Sequence, residues 1–217
     1  MDKLFIITNE SIFNYKEEFF CDNIDLKSTP EGLNTNFEVN IVGRKSKHVR
    51  SHKINIKRIK VFSNIISYLI EIYRSFASKN SKYLIISISP FTFFACILIS
   101  IFKKKGIVYL RSDGYGEYKA IFGRVGPIIY HFMFSITATF SHLISCRDYI
   151  LKGKKGKVVN PSQLDSVWLR QPKNIEIKNF KLLYVGRLRV EKGIFALSEL
   201  IRNKRDISLT IVGAEKS

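Results

Sequence analysis

The chain has 217 residues, enough for one large domain or for one domain and a fragment, and with 46% hydrophobic and 25% charged residues it has the balance of a soluble globular core. Its 36 Lys and Arg against 18 Asp and Glu give a formal net charge of +18, which implies attraction to something anionic: nucleotide diphosphates, acidic lipid headgroups, lipid-linked diphosphates or nucleic acid. Cys21, Cys96 and Cys146 are far apart and form no Cys-x-x-Cys pair, which argues against a disulfide framework or a thiolate metal site and for a reducing compartment.

Met1-Asp2-Lys3 leads straight into the apolar run 4–8, which is too short for a secretory hydrophobic region and has no small-residue cleavage site after it. The run predicts a buried first strand. Asn9, Glu10 and Ser11 then stand where a doubly wound parallel sheet opens its first ligand-facing loop. Pro30-Glu31-Gly32 signals a turn. Alternation over 37–43 predicts the second strand. A basic loop follows over 44–60, with His48 and His52 four apart inside it; no carboxylate or third ligand accompanies them, so no metal site is expected.

Residues 61–77 put Ile65, Ile66, Leu69, Ile72, Tyr73 and Phe76 on one face of an amphipathic helix. Residues 82–89 predict a third strand ended by Pro90. Residues 91–102 predict a buried helix closed by Lys103, Lys104 and Lys105, as the helix dipole prefers. The stretch 83–102 also has the length of a bilayer span, but Pro90 and the polar Ser87, Ser89, Thr92 and Ser100 interrupt it. Strand-then-helix keeps the alternation of the chain; the spanning reading stays open beside it.

A fourth strand over 106–111 runs into Ser112-Asp113-Gly114-Tyr115-Gly116-Glu117. Two glycines and two carboxylates at the carboxyl end of a parallel strand are where α/β folds place ligands. Asp113 is either a ligand contact or half of a turn-forming Asp-Gly pair. Residues 128–139 predict another apolar helix, 141–145 a short strand, Arg147-Asp148-Tyr149 a helical turn, and 157–161 the closing strand and turn of a first domain. The polar stretch 163–179 reads as a linker.

Leu182, Leu183, Tyr184 and Val185 form a short apolar run, as in a strand buried on both faces, and Gly186 ends it. From Ile194 the apolar positions change to helical period, through Leu197, Leu200 and Ile201. Arg187, Arg189 and Lys192 therefore fall in a loop between strand and helix. Unpaired N–H groups and the dipole make a helix start attractive to anions. Arg187 can hold two phosphate oxygens in a planar fork, and Lys192 adds a point charge. A plain solvated basic loop is the alternative.

G-R-L-R-V-E-K-G after an apolar strand, followed by a helix and a second strand ending Ile211-Val212-Gly213, resembles the start of the donor domain in family-four retaining glycosyltransferases. The resemblance implies the GT-B architecture, an α/β fold of two Rossmann-like domains, each a parallel sheet with helices on both faces. Here that would be an acceptor-side domain over 1–162, a linker over 163–179, and the start of an incomplete nucleotide-sugar-binding domain over 180–217. It implies transfer of a sugar from a nucleotide-sugar donor to a hydroxyl with retained configuration, in surface polysaccharide or glycolipid synthesis. Gly186, Arg187 and Lys192 would hold the donor diphosphate. Asp113 would contact the acceptor hydroxyl; it stands ahead of Gly114 where the family often has a His, so that residue's role is not carried over. No metal or other cofactor is implied, the nucleotide-sugar being a substrate.

The family's Glu-x7-Glu motif, which grips the donor sugar, comes later in the donor domain than these 217 residues reach, so a fragment or truncated product without activity of its own is expected. The expected partners are the nucleotide-sugar, a glycan or lipid-linked acceptor, and an anionic membrane met peripherally on its cytoplasmic face through the 44–60 loop. No recognition helix, RNP-like or zinc pattern supports nucleic acid. A non-catalytic basic α/β module or remnant binding an anionic membrane or ligand is the rival reading.

Overall fold

The apolar run near the N-terminus becomes an interior strand, β1 (Lys3–Tyr15), in a computed structural model that describes residues 1–78, 80–159, 180–186, 188, 193–204 and 206–213. By its internal contacts the chain divides into two units, Met1–Leu164 and Asp165–Ser217.

In the first unit β1 runs past its predicted end, turns back through Lys16 and Glu17, and pairs antiparallel with β2 (Glu18–Cys21). Next comes α1 (Ile24–Leu33), started by Asn23, whose side chain accepts the Asp25 N–H at 3.0 Å. Pro30, expected in a turn, lies inside α1. Its ring is buried there, so packing overrides the local turn signal. β3 (Glu38–Lys45) pairs parallel with β1. The basic stretch expected as loop holds two strands, β4 (His52–Ile54), antiparallel to β2, and β5 (Arg58–Phe62), parallel to β3.

The helix after β5 is α2 (Ile65–Ser75), which gives up Val61 and Phe62 to the strand. Ile72 is buried and Leu69 and Phe76 pack on the core as expected, but the stripe is turned toward Tyr68, which is buried, and away from Ile66 and Tyr73, which are exposed. The Tyr68 hydroxyl donates to the Thr8 carbonyl at 3.1 Å, which satisfies a buried phenol. β6 (Ser81–Ile86) is followed by α3 (Pro90–Ile101). Ser89 starts α3 in a reciprocal capping box with Thr92, and Pro90 supplies a fixed φ in the first turn. The stretch 83–102 is thus strand and helix, and among the described residues no helix is long and apolar enough to cross a membrane.

β7 (Gly106–Leu110), α4 (Gly114–Phe122), α5 (Gly126–Phe140), β8 (His142–Ser145) and β9 (Gly156–Val158) complete this unit, with 3-10 turns at Gly123–Val125 and Asp148–Leu151. The parallel strands lie in the order β5-β3-β1-β6-β7-β8-β9. Counted along the chain that order is 3-2-1-4-5-6-7, a doubly wound sheet that reverses direction between β1 and β6. Alternation along β1 sends Leu4 and Ile6 to one core with Leu26 of α1, and Ile7 to the other with Tyr68, Phe93 and Phe134 of α2, α3 and α5.

The second unit shows β10 (Phe180–Val185), α6 (Ile194–Ile201) and β11 (Ile207–Val212), with the two strands paired in parallel. A Cβ at Gly213 would lie 1.8 Å from the Gly186 carbonyl oxygen, so the turns after both strands pass at a distance only glycine allows.

Candidate functional site

The crevice at a reversal of strand order is where open α/β sheets hold ligands. Here it is bounded by the middle of β1, where its pairing with β3 is interrupted between Ile7 and Ser11, and by the residues leaving β6. Thr8 is fully buried and its hydroxyl accepts the Glu10 N–H at 3.1 Å. Across from it Ser87 has a φ of 61°, a left-handed conformation rare for a side chain with a Cβ. It is held there by its N–H on the Tyr109 carbonyl at 2.9 Å and by its own carbonyl, which accepts the Thr92 hydroxyl at 2.9 Å. A cleft of about 680 Å³ opens at this point. Glu10, Asn23, Asp25, Ser87, Arg111 and Glu117 are among its lining residues.

Three charges meet inside it. The Arg111 guanidinium lies 3.2 Å from Asp25 Oδ2 and 3.9 Å from Glu10 Oε1. Asn23 Nδ2 donates to Glu10 Oε1 at 2.6 Å. Glu10 is thereby oriented by an amide and a guanidinium, and a carboxylate so held can accept a hydrogen bond from a bound hydroxyl. Asn9 Oδ1 is buried and has no hydrogen-bond partner among the described residues, leaving one acceptor open beside the cleft. Burial pushes the Tyr109 phenol above its ordinary range, and the nearby Cys146 and Asp25 push the same way. That phenol stays a neutral donor.

Of the positions singled out from sequence, Asp113 lies in the first unit and Gly186 in the second. Asp113 is the N-cap of α4: its Oδ1 accepts the Tyr115 N–H at 3.2 Å and its Oδ2 lies 3.8 Å from Lys152 Nζ. Its neighbours Ser112 and Glu117 line the cleft, and Asp113 itself does not. Gly114 and Gly116 are helical rather than loop residues. A Cβ on Gly114 would sit 2.1 Å from the Tyr130 ring, so this glycine serves the packing of α4 on α5. Gly186 follows β10 and donates its N–H to the Val212 carbonyl at 3.0 Å. Arg187 and Lys192 lie outside the described residues. Among the described residues no cluster of three or more His, Cys, Asp or Glu could hold a metal ion.

Sequence order had already put Asn9 and Glu10 at the ligand edge. Arg111 was visible only as the last residue of a strand, and Asn23 and Asp25 lay in a stretch without clear period. Their meeting depends on the start of α1 lying beside Glu10 of β1 and Arg111 after β7, which no local pattern records.

No family model matches the sequence, and no curated protein matches it. Solved structures are similar, two of them as follows. One is named as a UDP-N-acetylglucosamine 2-epimerase from Listeria monocytogenes, at 13% identity and a TM-score of 0.48, over 97% of this chain and 62% of that one. The other is S. aureus MnaA solved with UDP, at 11% identity and a TM-score of 0.50, over all of this chain and 64% of that one. The chain therefore spans less than two thirds of the length of either structure. At that identity the likeness to MnaA shows the fold: a GT-B-like α/β chain with a parallel sheet between helices.

Proposed function

We propose that the chain is the acceptor-side domain and the opening of the donor domain of a GT-B enzyme that transfers a sugar, with retained configuration, from a nucleotide-sugar to a hydroxyl acceptor in surface polysaccharide or glycolipid synthesis. The observation that carries this reading is the parallel β10–α6–β11 unit. Its strand-to-helix connection contains G-R-L-R-V-E-K-G, and the Gly186–Gly213 approach lies at the strand ends on that side. MnaA, the fold neighbour, was solved with UDP, the kind of group such a connection would hold. In this reading Gly186 lets the backbone approach the diphosphate. Arg187 and Lys192 neutralise the charge that grows on it as the glycosidic bond breaks.

The first unit holds the acceptor. Glu10, fixed by Asn23 and Arg111, takes a hydrogen bond from the acceptor hydroxyl. Asp113, on the same sheet edge, is a second candidate for that contact. The acceptor is a glycan or lipid-linked glycan met at the cytoplasmic face of a membrane.

The test is incubation of the full-length gene product with labelled UDP- and GDP-sugars and a membrane extract of the source cells. Transfer releases the nucleoside diphosphate and moves label into the extract. Label that stays on the nucleotide, whether with an isomerised sugar or an unchanged one, overturns the reading.

A further inference from the structure

A second concavity, of about 500 Å³, opens at the carboxyl ends of β3 and β5, next to the strands that frame the cleft. Arg44, Lys45, Lys47, His48 and Arg50 line it, and no carboxylate does. The Arg44 guanidinium lies over the Phe91 ring, 5.0 Å from its centre. Ser11 lines this concavity and the preceding Glu10 lines the first cleft, so the two are neighbours along β1.

The basic segment is built rather than loose. Ser46 is buried, and its N–H donates to the Ile12 carbonyl at 2.8 Å. Its hydroxyl donates to the His48 carbonyl at 2.9 Å and accepts the His48 N–H at 3.1 Å and Arg50 Nε at 3.0 Å. The outer end of Arg50 pairs with Asp22, which also accepts the Ser51 N–H at 3.1 Å. The Arg50 hydrogen bond holds the Asp22 carboxyl below its usual range. Arg50 is thus a fixed and neutralised wall. Arg44, Lys45 and Lys47 have no carboxylate partner among the described residues. Like charges gathered in one concavity repel, and their field concentrates anions there. A planar guanidinium beside two ammonium groups suits the oxygens of a phosphate.

We propose that this pocket is a subsite for a phosphate-bearing group of the acceptor, a monoester or diphosphate, held by Arg44, Lys45 and Lys47 while the acceptor hydroxyl lies in the adjoining cleft. The acceptor assignment rests on the transfer reading; the phosphate contact does not, because it is measured without turnover.

The experiment is calorimetric titration of the full-length protein with inorganic pyrophosphate and with farnesyl diphosphate. It is done on an Arg187→Ala/Lys192→Ala background, so that the donor loop does not contribute. Binding should persist there, fall about tenfold or more on adding Arg44→Ala/Lys47→Ala, and fall less with Arg44→Lys, which keeps charge without the fork. Both side chains reach solvent, and circular dichroism checks that the variants fold. Farnesyl diphosphate binding more tightly assigns a lipid-borne phosphate; equal affinities assign a glycan-borne one. Affinity indifferent to Arg44 and Lys47 overturns the proposal, as does a stronger competition by an RNA oligonucleotide. Phosphate binding without sugar transfer would leave the subsite standing and remove the transfer reading.

Discussion

The two oxygens of Asp113 have separate occupations, and substitutions separate them. One caps α4 through the Tyr115 N–H, and the other faces Lys152. Asp113→Ala should destabilise the fold by about 1 kcal/mol in urea titration, through loss of the cap; Asp113→Ser keeps a capping oxygen and should stay within a few tenths. We expect turnover to fall in both, and full turnover in Asp113→Ser would leave the residue as a cap alone. The cysteines give a second residue-scale reading. Cys146 lines the cleft and donates to the Arg111 carbonyl at 3.0 Å. Cys21 is buried, and burial pushes its thiol up to about 11; Cys96 is pushed up for the same reason. A raised thiol value favours the neutral form in the fold, so the native state keeps that advantage below the unfolded value and loses it as pH rises toward about 11. Iodoacetamide at mildly alkaline pH should therefore modify Cys146 before Cys21 and Cys96, as read by peptide mass spectrometry. Acceptor in the cleft should slow that modification. Equal labelling of all three would contradict the burial described above.

Among the elements, α5 has a surplus of apolar surface. Tyr130, Met133 and Phe134 face the core, yet Ile128, Phe132 and Phe140 are exposed, Ile128 at 70% and Phe132 at 61%, as is Val125 just before the helix. A helix apolar all round is ordinarily covered all round. Neither α5 nor α3, which packs on it, carries an Asp or Glu; Lys119 and Arg124 precede α5, and Lys103, Lys104 and Lys105 follow α3. Within the proposed function this face suits an anionic bilayer better than the 44–60 segment, whose β4 and β5 belong to the sheet. Ile128→Glu/Phe132→Glu should cut co-sedimentation with phosphatidylglycerol vesicles by tenfold or more, since each side chain forfeits about 1.5–3 kcal/mol of apolar burial. High salt should weaken the wild type, and unchanged sedimentation of the variant would exclude α5 as the contact. The elements legible in the sequence share one physical property. β1, β6, β7 and β8 have cores of consecutive apolar residues, β1 buried on both faces and β7 leaving Ile107 exposed on one; β2 and β4 are short strands of an antiparallel extension with no such run. The burial of Tyr68 has no signal within α2, because the partner of its hydroxyl, the Thr8 carbonyl, is sixty residues away. The Glu10–Arg111–Asp25 cluster is hidden for the same reason: only its Glu10 corner has a local signature, a position just past the apolar run 4–8.

At the scale of the molecule, the proposed labour is divided: the diphosphate motif lies in the second unit and the acceptor cleft in the first. Binding and transfer should then respond to different substitutions. In the full-length enzyme Arg187→Ala and Lys192→Ala should each weaken UDP or GDP binding and slow turnover, because both charges act on oxygens that gain charge as the donor bond breaks. Loss of one such donor removes about 2–4 kcal/mol of transition-state stabilisation, or roughly 30- to 1000-fold in rate. Arg187→Lys should remain poor, since an ammonium lacks the two-point planar contact. Glu10→Gln keeps the shape of the side chain and the acceptor for Asn23 Nδ2, but removes the charge facing Arg111 and the acceptor hydroxyl. It should lower turnover while leaving nucleoside diphosphate affinity at the wild-type value. Calorimetry with UDP and GDP, run beside a transfer assay on the same preparations, reads both quantities. If Glu10→Gln loses nucleotide affinity as far as Arg187→Ala does, the two sites are not separate. If Arg187→Ala and Lys192→Ala change neither quantity, the segment between β10 and α6 is a solvated basic turn, and nucleotide-sugar transfer falls with it.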